Sequence, residues 1–275
     1  AHIAKRALLR RRRVLYASCE MSTDMVMSRF YQSIFAVPRR TAESEVTRLL
    51  IEDDKVAGFS RERVKADFAL LDDNAPTEVN LRMRSLGWMF KNIVTIGYAM
   101  GELTPAKLEA AIDHEATVHG FVPDMVIVDY LGIMRTDIRD IRNSVGQNAK
   151  DLRGLAQRRN IAMVIAQQVN REGKKVEDSG QIVGVQHAAE DWSLIGTVDI
   201  ALTLSRTRLE TDLGLIRLLT AKVRSEAAEY ITLCTQDYPR GQFVLEAHKL
   251  PSKYKDLRDA FAGRLEGEAN RDDED

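Results

Sequence analysis

The sequence predicts an α/β fold, with a mostly parallel central sheet flanked by helices and antiparallel strands at the carboxyl end. Three observations carry that prediction. Short apolar runs rich in β-branched residues recur along the chain, as V-L-Y-A-S at 14–18, I-V-T-I at 93–96, M-V-I-V at 125–128 and I-A-M-V-I-A at 161–166. Such runs suit strands covered on both faces. Helical patterns stand between them, as parallel strands require for their crossovers. From Asp199 onward the helices give way to strand patterns with turn signals, which indicates antiparallel pairing.

The totals set bounds. A chain of 275 residues suffices for one large domain or two small ones. Lys+Arg 40 against Asp+Glu 41 leaves a net charge of -1, so any site for nucleic acid must be a local basic patch. Two cysteines, Cys19 and Cys234, lack metal-ligand spacing and suit a reducing cytoplasm. The five histidines form no cluster in sequence, so no zinc site is expected. No apolar stretch reaches the ~20 residues of a membrane span, and no signal-peptide pattern is present.

In order, residues 1–9 read as the closing turns of a helix, with Ile3, Ala7 and Leu8 on one face. Four arginines at 10–13 put cations at its carboxyl end, where the macrodipole favours them, and this reading is preferred to DNA binding. Strand 14–18 leads to Glu20 in C-E-M-S, and Ser22 caps a helix reaching about Val37. Residues 38–92 read as charged and helical, forming an insertion (38–90) on the sheet edge with no visible chemistry. After strand 93–96, Thr104 caps a helix with Pro105 at its first position, which crosses over to the central strand ending at Asp129. A polar loop with Arg135, Arg139 and Arg142 precedes helix 144–159, and strand 161–166 ends in Gln167 and Gln168. Residues 169–187 are expected to be a long, charged, Gly-rich loop, mobile or functional. Strands are expected at 200–204, 215–222, 230–235 and 242–246, followed by a polar acidic tail at 251–275, solvated or disordered.

The chemistry gathers at strand ends. Glu20, Asp129 and Gln168 each follow a parallel-type strand, and ends on one edge of such a sheet converge in space. A carboxylate to activate water, a carboxylate for Mg²⁺ and an amide to sense the γ-phosphate are what triphosphate hydrolysis requires. Lys222 and Arg224, two apart at another strand end, share a face and suit a pair of cations reaching into one site, including one across a subunit boundary. Each residue alone also has a plainer account: Glu20 as a helix-entry acid, Asp129 as a cap on the next turn, Gln168 as a loop residue, and Lys222 and Arg224 as a solvated strand end. The case rests on all five falling in a consistent order.

That series resembles a known family. C-E-M-S (19–22), V-I-V-D-Y-L-G-I-M (126–134), A-Q-Q-V-N-R (166–171) and A-K-V-R (221–224) are similar to the RecA-type motor domain of DnaB-type replicative helicases, a group that includes phage ring helicases. The match runs over roughly residues 1–247, so residues 1–250 are expected to form one RecA-like ATPase domain. The resemblance implies ATP and Mg²⁺ as cofactors. It implies Glu20 as catalytic base, Asp129 on the metal, in one version through water, and Gln168 as the link from γ-phosphate to DNA. Lys222 and Arg224 would complete a neighbouring subunit's site. It further implies a hexameric ring drawing single-stranded DNA through its channel, with loops 135–148 and 169–191 on the DNA. There Arg135, Arg139, Arg142, Arg171, Lys174 and Lys175 are the candidate contacts. A primase or a helicase loader is the implied partner, and the cytoplasm of a bacterial cell the implied location, with a phage or mobile element as source.

The sequence departs from the family in four ways. G-x-x-x-x-G-K-[ST] is absent, so the expectation is a chain beginning inside a longer polypeptide, with the phosphate-binding loop upstream of residue 1. Gly132 stands where the family has Gln, H-A-A-E-D-W (187–192) replaces an Arg-Glu segment, and the amino-terminal domain of bacterial members is missing. Two rivals remain: a RecA-type recombinase or filament ATPase, and a non-catalytic helicase-like scaffold or loader without a phosphate-binding loop.

Overall fold

Two four-stranded sheets and one long hairpin make up the β structure of the described residues, which in this computed structural model are 1–40, 43–184, 192–225 and 230–272. In chain order the elements are α1 (His2–Leu9), β1 (Val14–Ser18), α2 (Thr23–Phe35), β2 (Glu43–Glu52), β3 (Lys55–Lys65), α3 (Ala75–Phe90), β4 (Ile93–Gly97), α4 (Pro105–His119) and β5 (Met125–Asp129). There follow α5 (Ile141–Arg159), β6 (Ala162–Ile165), α6 (Arg171–Asp178), α7 (Trp192–Thr197), β7 (Ile200–Ser205) and α8 (Arg208–Asp212). The chain closes with β8 (Leu215–Val223), β9 (Tyr230–Thr235), β10 (Ala247–Lys249) and α9 (Tyr254–Asp272).

The first sheet runs β4-β1-β5-β6, all parallel. Its apolar runs are continuous because both faces are covered. Leu15, Ala17, Val126 and Val128 pack against Leu108 and Ile112 of α4 and against Ala149, Leu152 and Leu155 of α5. Val14, Tyr16 and Ile127 face the other way, onto Ala4 and Leu8 of α1 and Val26, Phe30 and Ile34 of α2. Ser22 caps α2 through the Met25 N–H at 3.4 Å, and Thr104 caps α4 through Lys107 N–H at 3.1 Å, with Pro105 at the first helical turn. No helix among the described residues is long and apolar enough to cross a membrane.

Four expectations are corrected here. Residues 38–90 are not a helical insertion: Glu43–Lys65 is an antiparallel hairpin, and only α3 is helical. The hairpin turns at Asp53 and Asp54, both at positive φ (48° and 56°), the geometry of a tight two-residue connection. Its alternation is obscured because consecutive residues Val46 and Thr47 are both buried and the register shifts between Leu50 and Ile51. Nor does it sit on the parallel sheet's edge. Thr47 donates its hydroxyl to the Leu213 carbonyl (2.5 Å), and Leu49 N–H donates to the Glu246 carboxylate (2.7 Å). Val56 and Phe59 share a core with Leu215 and Leu233 of the second sheet.

The tail expected to be solvated or disordered is a helix from Tyr254 to Asp272, with only 273–275 outside the described residues. Tyr254, Leu257, Phe261 and Leu265 recur at helical spacing and pack into that same core. The second sheet runs β10-β9-β8-β7, antiparallel as expected. Its last strand, however, is Ala247–Lys249 rather than 242–246. Gln242 belongs instead to the turn, bridging Asp237 and giving its amide to the Ser33 carbonyl (2.9 Å) at the end of α2. Gly241, at φ 64°, is required there: a Cβ would lie 2.9 Å from the Ser33 backbone nitrogen. Finally, 169–187 contains α6, capped by Asn170 through Gly173 N–H at 2.8 Å, in place of a continuous loop.

A buried charge network ties α8, β8 and α9 together. Thr207 and Glu210 form a reciprocal capping box at the start of α8. Glu210, 0% exposed, also accepts from Arg217 Nη2 (2.9 Å) and from the Tyr254 hydroxyl (2.6 Å).

Candidate active site

Register decides what meets at the carboxyl edge of the parallel sheet. Ser18 pairs with Asp129 and Val128 with Ile165, so β1, β5 and β6 end level with one another. The backbone ladder carries on past the strand ends, through Cys19 N–H to Asp129 O (2.8 Å) and Leu131 N–H to Ala166 O (3.0 Å). Glu20, Asp129 and Gln168 therefore stand at the same edge of three adjacent strands. The C-E-M-S turn is held by Ser18, whose hydroxyl donates to Met21 O (2.8 Å) and accepts from Met21 N–H (3.0 Å). That leaves the Glu20 side chain exposed at the turn's tip.

Asp129 is half-buried, and the Tyr16 hydroxyl donates to its Oδ2. Burial and the adjacent carboxylate push the Tyr16 phenol well above its ordinary range, so it remains a donor. Tyr130 is pushed upward too, by burial first and then by the charges of Glu20 and Asp129. The two carboxylates thus occupy one electrostatic neighbourhood, felt by tyrosines on either side of them. Among the described residues Asp129 has no ion pair with any Lys or Arg. Arg29 of α2 also lies within reach of this group. Tyr16 feels the Arg29 guanidinium. The Asp129–Tyr130 peptide is cis.

Sequence reasoning singled out neither Tyr16 nor Arg29. Tyr16 reads as a core residue of a buried strand, although its place two residues before Ser18 puts it on Asp129's face. Gln167 is a further addition. Its amide lies 3.2–3.3 Å from where a Cβ on Gly132 would stand, with the Tyr130 ring at 3.1 Å. The gap left by a glycine at 132 is filled by Gln167. Cys19 is no nucleophile here, since burial and then Asp129 push its thiol up to about 11.

The remaining candidates lie elsewhere. Gln168 is exposed and borders a shallow hollow with Val169, Asn170 and Lys174. Lys222, near the end of β8 in the second sheet, and Arg224, one residue past that end, share one face, as alternation predicts. They turn toward α7, not toward the three strand ends. Lys222 Nζ donates to the Ile195 carbonyl (2.5 Å), and Arg224 donates to the Gly196 carbonyl (3.3 Å) and pairs with Asp199 (2.9 Å). Arg153 of α5 pairs with Asp199 as well, at 3.0 Å. Among the described residues, neither Lys222 nor Arg224 bonds to Glu20, Asp129 or Gln168.

Of the candidate DNA contacts, Arg135 and Arg139 are exposed and border a second shallow hollow before α5. Lys174 and Lys175 are exposed on α6, with Lys174 engaged by Glu177 (2.8 Å) and Asp178 (3.3 Å). Arg142 and Arg171 fall in the first turns of α5 and α6, and their side chains lie outside the described residues, as does the 187–191 part of the H-A-A-E-D-W segment. The expectation that no histidines cluster is overturned: His114 and His119 of α4 meet, with Glu115 beside them.

No family model and no curated protein matches the chain. Solved structures do. A DnaB-like replicative helicase, described with its interactions with primase, superposes with a TM-score of 0.64 at 16% identity, over 88% of this chain and 53% of that one. A second solved structure, itself an ATPase domain, superposes at 0.63 with 15% identity, over 88% of this chain and 78% of that one. The chain shares the RecA-like fold of these two structures. This chain spans about half the length of the DnaB-like helicase. In this RecA-like fold the parallel strands present Glu20, Asp129 and Gln168 at one edge, and the antiparallel sheet carries Lys222 and Arg224.

Proposed function

We propose that the chain is the motor domain of an ATP-driven helicase, hydrolysing nucleotide between subunits of a ring and translocating on single-stranded DNA in replication. One observation carries the reading: two carboxylates, Glu20 and Asp129, share one electrostatic neighbourhood at a sheet edge, and Asp129 has no cation partner among the described residues. Taking a carboxylate out of water favours pairing it with a cation or a metal. An oxygen donor set of this kind suits Mg²⁺, which prefers one or two carboxylates together with water and substrate phosphates. The metal, when bound, neutralises charge on the transferred phosphoryl group.

The chain's own residues then divide the work. Tyr16 holds the Asp129 carboxylate in one orientation. Glu20, exposed on its turn, accepts the proton of the attacking water. Gln168 lies between the nucleotide edge and α6, where a change at the γ-phosphate reaches the DNA-facing segment. Lys222 and Arg224 serve the neighbouring subunit's site, which requires them to exchange the α7 carbonyls and Asp199 for phosphate oxygens. Arg135, Arg139, Arg142, Arg171, Lys174 and Lys175 contact the DNA backbone, and a primase or loader is the partner implied by the DnaB-like neighbour. Hydrolysis also needs a phosphate cradle, and these 275 residues contain no G-x-x-x-x-G-K-[ST].

The test uses a protein that carries this chain together with a phosphate-binding loop. Glu20→Gln keeps nucleotide binding and loses turnover by about 10²–10⁴-fold, the range for a general base; normal turnover removes Glu20 from that role. Arg224→Ala loses activity by about 10³-fold or more and regains part of it in mixed rings with Glu20→Gln subunits. No rescue in verified mixed assemblies removes the trans role. The second reading is a non-catalytic helicase-like scaffold, and it is favoured by the contacts that already occupy Lys222 and Arg224 within the chain. It requires that such a protein bind no nucleotide.

A further inference from the structure

Helix α4 ends in three metal-ligand side chains that the proposed motor leaves unused. His114, Glu115 and His119 bring their ligand atoms within 4.8 Å of one another. The two imidazoles stand edge to face, centroids 5.8 Å apart at 83°. Sequence spacing hides this, because positions five apart do not face each other along a regular helix. The helix closes at this point, with Gly120 at φ 64° and the Phe121 N–H on the Glu115 carbonyl at 3.0 Å. Among the described residues, none of the three side chains makes a hydrogen bond or ion pair, so each is free to turn toward a common ion. The arrangement also lies at a helix carboxyl end, where the macrodipole favours a cation. Just beyond the last turn the Arg13 guanidinium donates to the Gly120 carbonyl at 3.4 Å.

We propose that His114, Glu115 and His119 form a surface site for a borderline divalent metal of the zinc class. Two imidazoles and one carboxylate are a familiar zinc donor set, with a fourth position left to water. Tetrahedral ligands at about 2.0–2.2 Å from zinc lie closer together than the present spacing. Two exposed rings and a half-exposed carboxylate have room to turn toward it. Imidazole nitrogen selects against Mg²⁺, which takes oxygen ligands. The site is therefore distinct in chemistry from the one at Asp129, and it stands whether or not the motor reading does.

The experiment is a calorimetric titration of the metal-stripped chain with ZnCl₂ in nucleotide-free buffer. One zinc per chain binds, and excess Mg²⁺ does not displace it. His114→Ala and His119→Ala each weaken binding by more than about 100-fold, beyond the roughly 10–100-fold that follows loss of an outer-shell partner. Glu115→Gln weakens it less, and His248→Ala on β10 leaves it unchanged. In the wild type, Co²⁺ gives the visible bands of a tetrahedral complex, and the double histidine variant loses them. Absence of zinc binding by the wild type, full competition by Mg²⁺, or undiminished binding in the double variant overturns the site.

Discussion

Two carboxylates in this molecule each accept a hydrogen bond from a tyrosine, and there the likeness ends. Glu210 is sealed from water and carries, besides Tyr254, the Arg217 guanidinium and its own capping-box partner. Asp129 is half-buried and, among the described side chains, has Tyr16 alone. A buried charge that is fully paired serves the fold, because removing one partner strands the other. A carboxylate with a single neutral donor keeps the capacity to bind something that is not yet there. The second sheet and α9 are locked through the first, and the parallel sheet's edge is left receptive at the second.

The sharpest way to break this contrast is to neutralise each acid in turn. Glu210→Ala strands Arg217 and is expected to cost about 3–5 kcal/mol in urea unfolding. Asp129→Asn keeps shape and hydrogen-bonding capacity and is expected to cost less than about 1 kcal/mol, while abolishing Mg²⁺-nucleotide binding in the loop-bearing protein. Equal destabilisation by the two would erase the distinction. The tyrosines come next. Tyr254→Phe removes a donor to a buried charge and should cost about 1.5–3 kcal/mol; Tyr16→Phe should cost less and show mainly in metal affinity.

An alkaline titration sharpens the comparison. Both phenols are raised in the fold, chiefly by burial. Their contribution is therefore complete below the unfolded value of about 10 and declines as pH climbs past it. Tyr254→Phe and Tyr16→Phe should each flatten that decline, and thermal melts across that pH range measure it. The smallest effect is expected at Arg224, an exposed partner of Asp199. Arg224→Ala should change stability by no more than about 1 kcal/mol, so any large loss of activity there belongs to function.

How legible each feature was depended on whether its signal was local. The strand ends at Asp129 and Gln168 could be read because unbroken apolar runs stop there in polar residues. The hairpin could not, since its buried face is defined by partners far along the chain. Thr47 is inside only because Leu213, 166 residues later, lies against its strand, and Glu246 holds the neighbouring Leu49 from still further away. The helix α9 was masked by its charge, although Tyr254, Leu257, Phe261 and Leu265 kept helical spacing throughout. Tyr16 looked like any buried strand aromatic, and only the pairing of β1 with β5 reveals its partner. The meeting of His114 and His119 depends on how one helix ends, a detail that no periodicity reports.

The clamp at the far end of α2 has a mechanical consequence. That helix starts just after Glu20, and its 13 residues span about 20 Å at 1.5 Å each. At its other end the Ser33 carbonyl receives both Lys5 Nζ (2.6 Å) and the Gln242 amide (2.9 Å), which fastens it to the turn between β9 and β10. One packed helix thus joins the turn that carries Glu20 to the turn between β9 and β10.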